Sequence, residues 1–173
     1  MICPSALQNS VALGFTLVEV LVALMVAAIF TSLTMQALVT AAAFRSKATQ
    51  YDGAVSWIQE DLEAVVSQAR QYEVGALPYS PICSAANVQD SMAARFIRDS
   101  SPTGLGSSIG TLTTIEDRVL GGTSYRLNRT AQLTTSDPRR LVELLYTVTP
   151  TSGGLAIATV RTEVIPYAVL RCP

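Results

Sequence analysis

Histidine is absent from the chain. That removes the usual general base of neutral-pH chemistry and the commonest metal ligand, so no Ser-His-Asp or Cys-His arrangement can be built. Lysine occurs once, as Lys47, against eleven arginines, and the formal net charge is −1. A nucleic-acid-binding surface normally shows a basic stripe, and none is present. The three cysteines, Cys3, Cys83 and Cys172, form no CxxC pair. Gly104-Leu105-Gly106 followed by Gly110 has the wrong spacing for a dinucleotide loop and no strand pattern before it. Glu116 and Asp117, taken with Asp137 or Asp90, lack calcium-ligand spacing. The expectation is a protein with no catalytic residues, no metal and no cofactor: not an enzyme.

Charge is nearly missing from the first quarter of the chain. Between Met1 and Phe44 the only ionisable side chains are Cys3 and Glu19. Glycine and proline are both missing from residues 15–44, so nothing marks a break in a helix there. At 1.5 Å per residue this run extends about 45 Å, more than the roughly 30 Å hydrocarbon core of a bilayer. A carboxylate on such a helix costs about 2.5–3.5 kcal/mol even on lenient insertion scales, which marks Glu19 as functional. Small residues recur at four-residue steps, Ala23-Ala27-Thr31 and Ala28-Ser32, and such rows let helices approach closely in lipid. An alanine-rich composition alone would also produce them.

Beyond the apolar run the pattern becomes amphipathic. Val55, Ile58, Leu62, Val65, Val66, Ala69 and Tyr72 fall at three- and four-residue spacings, with Glu60, Asp61, Glu63 and Arg70 read as the wet face. Gly53 is expected to loosen the junction at most slightly, a glycine costing about 1 kcal/mol inside a helix. From Gly75 to Gly122 prolines and glycines break the chain into irregular pieces, with a short helix around Gln89–Ile97 burying Met92, Phe96 and Ile97. After Gly121-Gly122 the period changes to two. Tyr125, Leu127, Ala131 and Leu133 alternate with polar residues, Leu141–Thr149 is a second strand, and Leu155–Val164 a third across a Pro150–Gly154 turn. The predicted fold class is α+β: a long N-terminal helix, membrane half plus amphipathic half, packed on a C-terminal antiparallel sheet.

The string Gly14-Phe15-Thr16-Leu17-Val18-Glu19, continued by Val20-Leu21-Val22-Ala23-Leu24, closely resembles the processing site of type IV prepilins and type II secretion pseudopilins. It is more similar to the minor members than to a major subunit. Trp57-Ile58-Gln59-Glu60-Asp61-Leu62-Glu63 is similar to pseudopilins of polysaccharide secretion in filamentous cyanobacteria. The resemblance implies a pilin-like fold with a leader at 1–14, a transmembrane and assembly helix at 15–44, and a periplasmic or extracellular head at 45–173. Within the head the expectation is a helix at 45–74, an irregular region at 75–122 and an antiparallel meander at 123–167. It implies cleavage after Gly14 by a prepilin peptidase, N-methylation of Phe15, and a charge pairing between Glu19 of one subunit and the Phe15 amine of another during assembly. The implied partners are other pilin or pseudopilin subunits, the peptidase/methylase, an inner-membrane assembly platform and membrane lipid, with no nucleic acid. The implied location is the bacterial inner membrane, single-pass, with the head in the periplasm and later in a fibre. Glu19 pairing with its own N-terminus is the plain alternative.

Cleavage after Gly14 removes Cys3 and leaves Cys83 and Cys172, the arithmetic of one disulfide in an exported domain. Two buried, unreacted thiols are the alternative. The leader has no lysine or arginine, and the first basic residues after the run, Arg45 and Lys47, point the positive-inside rule the opposite way from a pilin. Either a basic segment precedes Met1 in the natural protein or a dedicated targeting pathway overrides the bias. An ordinary secretory signal cut after Ala41-Ala42-Ala43 fits less well, because its apolar core would be about twice the usual 7–15 residues. A lipoprotein reading on Cys3 fails for want of an apolar segment before it. A monomeric membrane-anchored binding domain remains the runner-up, and it leaves Glu19 without a role.

Overall fold

A computed structural model describes residues 16–74 and 80–172. The chain divides into two compact units, Met1–Arg45 and Ser46–Pro173. Helix α1, Leu17–Gln71, runs through the described part of the first unit and into the second. In the first unit every described side chain is exposed, and apolar residues occur on all sides of the helix. This helix is long and apolar enough to cross a membrane.

In the second unit α1 is followed by α2, Ser80–Cys83, a 3-10 turn, Val88–Asp90, and α3, Met92–Arg98. Four strands follow, β1 (Leu112–Leu120), β2 (Thr123–Leu133), β3 (Val142–Pro150) and β4 (Ala158–Val164), and then a 3-10 turn, Tyr167–Arg171. The strands form one antiparallel sheet in the order β1-β2-β3-β4. The arrangement is α+β, with a long N-terminal helix and a C-terminal antiparallel sheet.

The apolar stripe of α1 supplies one wall of the core. Ile58, Val65, Ala69 and Tyr72 are buried against Leu127, Leu144, Tyr146 and Val148 from the inner face of the sheet. Fully burying side chains of this size is worth about 1.5–3 kcal/mol each. Helix α3 closes the end: Met92, Phe96 and Ile97 are all buried, and the Phe96 ring meets Tyr72 edge-on at 5.0 Å. The Ser91 hydroxyl accepts from the Ala94 N–H at the start of α3, a serine N-cap. Gly121 and Gly122, at φ +56° and +84°, form the two-residue turn between β1 and β2, which demands left-handed backbone at both positions.

Five sequence expectations change here. The region 75–122 is not irregular throughout, because β1 occupies 112–120 and makes the sheet four-stranded. Its register slips at Ile115, between Thr114↔Asn128 and Glu116↔Leu127, so its inward positions carry Glu116 and Arg118 and the apolar alternation is lost. The helix expected over 45–74 stops at Gln71, and the meander expected over 123–167 begins at Leu112 and ends at Val164. The third expected strand starts at Ala158, not Leu155, since Gly153 and Gly154 at positive φ hold Leu155 out in solvent, 92% exposed. Gly53 does not loosen α1. A side chain there would meet Leu120 Cδ2 at 3.3 Å, so the glycine admits the end of β1 against the helix.

Candidate functional site

Gly14 and Phe15 lie outside the described residues. The described chain opens on Thr16, whose hydroxyl and carbonyl accept from the Glu19 N–H at 3.3 and 3.0 Å. Thr16-x-x-Glu19 is therefore a capping sequence, a signal the sequence reading passed over. Glu19 lies in the first turn of α1, where a carboxylate complements the positive end of the helix dipole. Its side chain is exposed and carries no ion pair or hydrogen bond among the described residues.

The head presents a second polar cluster, where α1 meets the sheet. Asp61 Oδ2 accepts from Arg129 Nη1 and from the Tyr146 hydroxyl, both at 2.8 Å. The Arg129 and Asp61 side chains are only 9% and 14% exposed. Asp61 is thus not part of the wet helix face: it turns inward and is tied to β2 and β3. The one sequence signal that bears on it is Arg129, which occupies the inward slot of β2 between Leu127 and Ala131 and was not singled out above. Burial, and then the nearby Asp61 carboxylate, push the Tyr146 hydroxyl above the ordinary tyrosine range. Arg129 Nε is buried without a partner, and no other described side-chain atom shares that condition.

At the adjacent residue, on the surface, Glu60 receives Arg118 from β1 at 2.7 Å, while the same guanidinium bonds Glu116 and sits 5.1 Å over the Trp57 ring. The Arg118 hydrogen bond holds Glu60 below the usual carboxylate range, and the pairing raises Arg118. On the opposite face of the sheet Arg126 does the same to Asp117. Glu116 and Asp117 therefore face different sides and are each taken by an arginine. Among the described residues no three metal-ligating side chains come together.

Cys83, at the end of α2, and Cys172, after the last 3-10 turn, are joined by a disulfide with Cα atoms 5.6 Å apart. The bond closes a separation of 89 residues, tying α2 to the C-terminal segment. It stands on a different part of the head from the Asp61 cluster, and neither involves Glu19.

Searches for relatives return nothing: no family model matches the chain, and neither a curated protein nor a solved structure matches it significantly.

Proposed function

We propose that this chain is a minor pilin or pseudopilin, a non-catalytic structural subunit of a type IV pilus or type II secretion-like fibre. The observation that carries the reading is Glu19: a carboxylate exposed and without a partner among the described residues, at the start of a helix whose first half is otherwise uncharged. Such a group calls for a cation from outside its own described chain. The α-amino group freed by cleavage after Gly14 supplies one, since its reference pKa of about 7.7–8.0 keeps it largely protonated at neutral pH. The Phe15 amine of one subunit would then meet Glu19 of its neighbour, removing two unfavourable charges from lipid at once and setting the register of assembly. The head, with its own core and disulfide, would lie in the periplasm and then on the fibre surface. Its partners would be like subunits, the peptidase/methylase, the inner-membrane assembly platform and lipid.

The deciding experiment is the intact mass and N-terminal residue of the protein from its native membrane. A start at Phe15 carrying one added methyl group is expected. A start at Phe44 would make it an ordinary secreted domain, and an uncut chain beside an active peptidase would make it an anchored monomer. Glu19→Ala is expected to abolish entry into fibres while leaving insertion and head folding intact; normal incorporation would end the registration role.

A further inference from the structure

Among the described residues one buried side-chain polar atom has no hydrogen-bond partner, Arg129 Nε. Its side chain lies on the inward face of β2, buried where α1 meets the sheet. A guanidinium presents its donors on two edges. Nη1 of Arg129 serves Asp61 Oδ2 at 2.8 Å. The Nε–H points off the other edge, the one it shares with Nη2. On the opposite face of the sheet Arg126 uses that edge in full, bonding Asp117 from Nε at 2.8 Å and from Nη2 at 2.9 Å. On Arg129 the carboxylate does not reach Nε, so the acceptor is a different group. Buried donors in folded proteins are paired in about nine cases of ten or more, with protein or with ordered water.

The neighbouring strand supplies the surroundings. Thr113 of β1 stands directly opposite Arg129 in the register. Opposed residues of this kind have Cβ atoms about 4.5–5.5 Å apart. The Thr113 hydroxyl gives its proton to Ser107 Oγ at 3.5 Å, which leaves its lone pairs free to accept. Two residues on, the register slips and Ile115 has no partner on β2. A residue bulged in this way drops out of the ladder and its backbone groups go unpaired. At the same place a cleft of about 170 Å³ opens between α1 and β1, with Asp61, Ala64 and Ile115 among its walls. A water needs roughly 10–15 Å³ of such room and two to four polar partners.

We propose that one ordered water is a built-in part of this seam, accepting from Arg129 Nε–H and donating to the Thr113 hydroxyl and the Ile115 carbonyl. Charge selects a neutral ligand. Arg129 is already matched by Asp61 and both are nearly buried, so an anion on the free edge would leave a surplus negative charge away from solvent. Water, which accepts and donates, complements a buried donor that faces a hydroxyl and a carbonyl. It ties the slipped edge strand to the ion pair between helix and sheet, so the bulge and the buried charge form one unit. The inference concerns the head alone and does not depend on the proposed function.

The test uses the full chain in detergent micelles with isotope-labelled arginine. The Arg129 Nε–H signal, identified by its loss in Arg129→Lys, should show magnetisation transfer from water that changes sign between laboratory-frame and rotating-frame spectra. That reversal marks a long-lived water in contact, whereas proton exchange with solvent gives the same sign in both. Thr113→Val should weaken the water peak severalfold, and Thr113→Ser should restore it. Absence of the peak in the wild-type chain would overturn the proposal. So would a peak of unchanged sign, which would put bulk solvent at Nε, or a saturable shift of the signal with chloride, which would put an anion there. Equal peaks in the wild type and Thr113→Val would overturn the bridge to β1.

Discussion

The two halves of α1 share a backbone and differ in what covers them. From Leu17 to Phe44 all side chains are exposed and apolar residues occur on every side; further along, Ala54, Trp57, Ile58, Val65 and Ala69 are buried. Where the apolar residues form a stripe, the chain supplies its own cover, and charges gather along the seam as the Glu60–Arg118 and Asp61–Arg129 pairs. Where they surround the helix, no single face is singled out for a sheet.

The head half should be the sensitive one, and the largest effect should come from its covalent tie. Replacing both Cys83 and Cys172 by serine opens the 89-residue separation and is expected to cost about 4–5 kcal/mol in the chain-entropy account, read as a fall in the urea midpoint of the head. A midpoint unchanged by reduction would mean that α2 and the C-terminal segment are held by packing alone. Next comes Asp61→Ala. Removing one partner of a buried ion pair costs about 3–5 kcal/mol, because Arg129 is left charged and uncompensated among Tyr146 and the core. Asp61→Asn leaves Arg129 uncompensated as well but keeps one oxygen that can accept from both donors, so it should cost less by the hydrogen bonds it retains. Equal losses in the two variants would show that the carboxylate's charge matters and its hydrogen bonds do not.

Much of this seam was legible in the sequence, though not its charges. The stripe Ile58–Val65–Ala69–Tyr72, the inward residues of β2 and the buried side of α3 follow from periodicity, which reports burial of apolar side chains directly. Asp61 looked like Glu60 and Glu63 because a helical charge reads as solvated unless its partner is known, and the partner lies 68 residues away in β2. β1 was hidden for a related reason. An edge strand with a register slip and inward-facing Glu116 and Arg118 has no alternation to detect. For the N-terminal half, the sequence motif carries the proposed processing residues, while the threonines satisfied within the helix become visible only once hydrogen bonds are assigned.

A smaller effect should distinguish the seam by pH. Tyr146 and Tyr72 are both held above their ordinary value of 10.0, chiefly by burial and then by Asp61 and Asp99 respectively. Above pH 10 the unfolded chain loses these protons first, so it binds fewer protons than the folded one and stability falls as pH rises. The contribution is complete below pH 10 and drains away above it. Urea midpoints from pH 8 to 11 should decline, and Tyr146→Phe, although less stable at pH 8, should decline less steeply. Parallel slopes for the variant and the wild type would mean that Tyr146 ionises as freely folded as unfolded.

The smallest expected effect tests the contrast itself. Among the described residues no core residue of the head precedes Ala54, so deleting residues 1–45 removes no side chain described as buried. The cut also leaves Ser46 at the new start of the helix, and serine is a favoured N-cap residue. The truncated head should stay folded, with its disulfide, at a stability within about 0.5 kcal/mol of the full chain, as for changes remote from a core. It should also dissolve without detergent, since the apolar surface of the first unit has gone with the deletion. A head that unfolds on truncation would show that the exposed half of α1 supplies stability to the sheet side as well. The helix would then be one cooperative element, and its two halves could not be assigned separate environments.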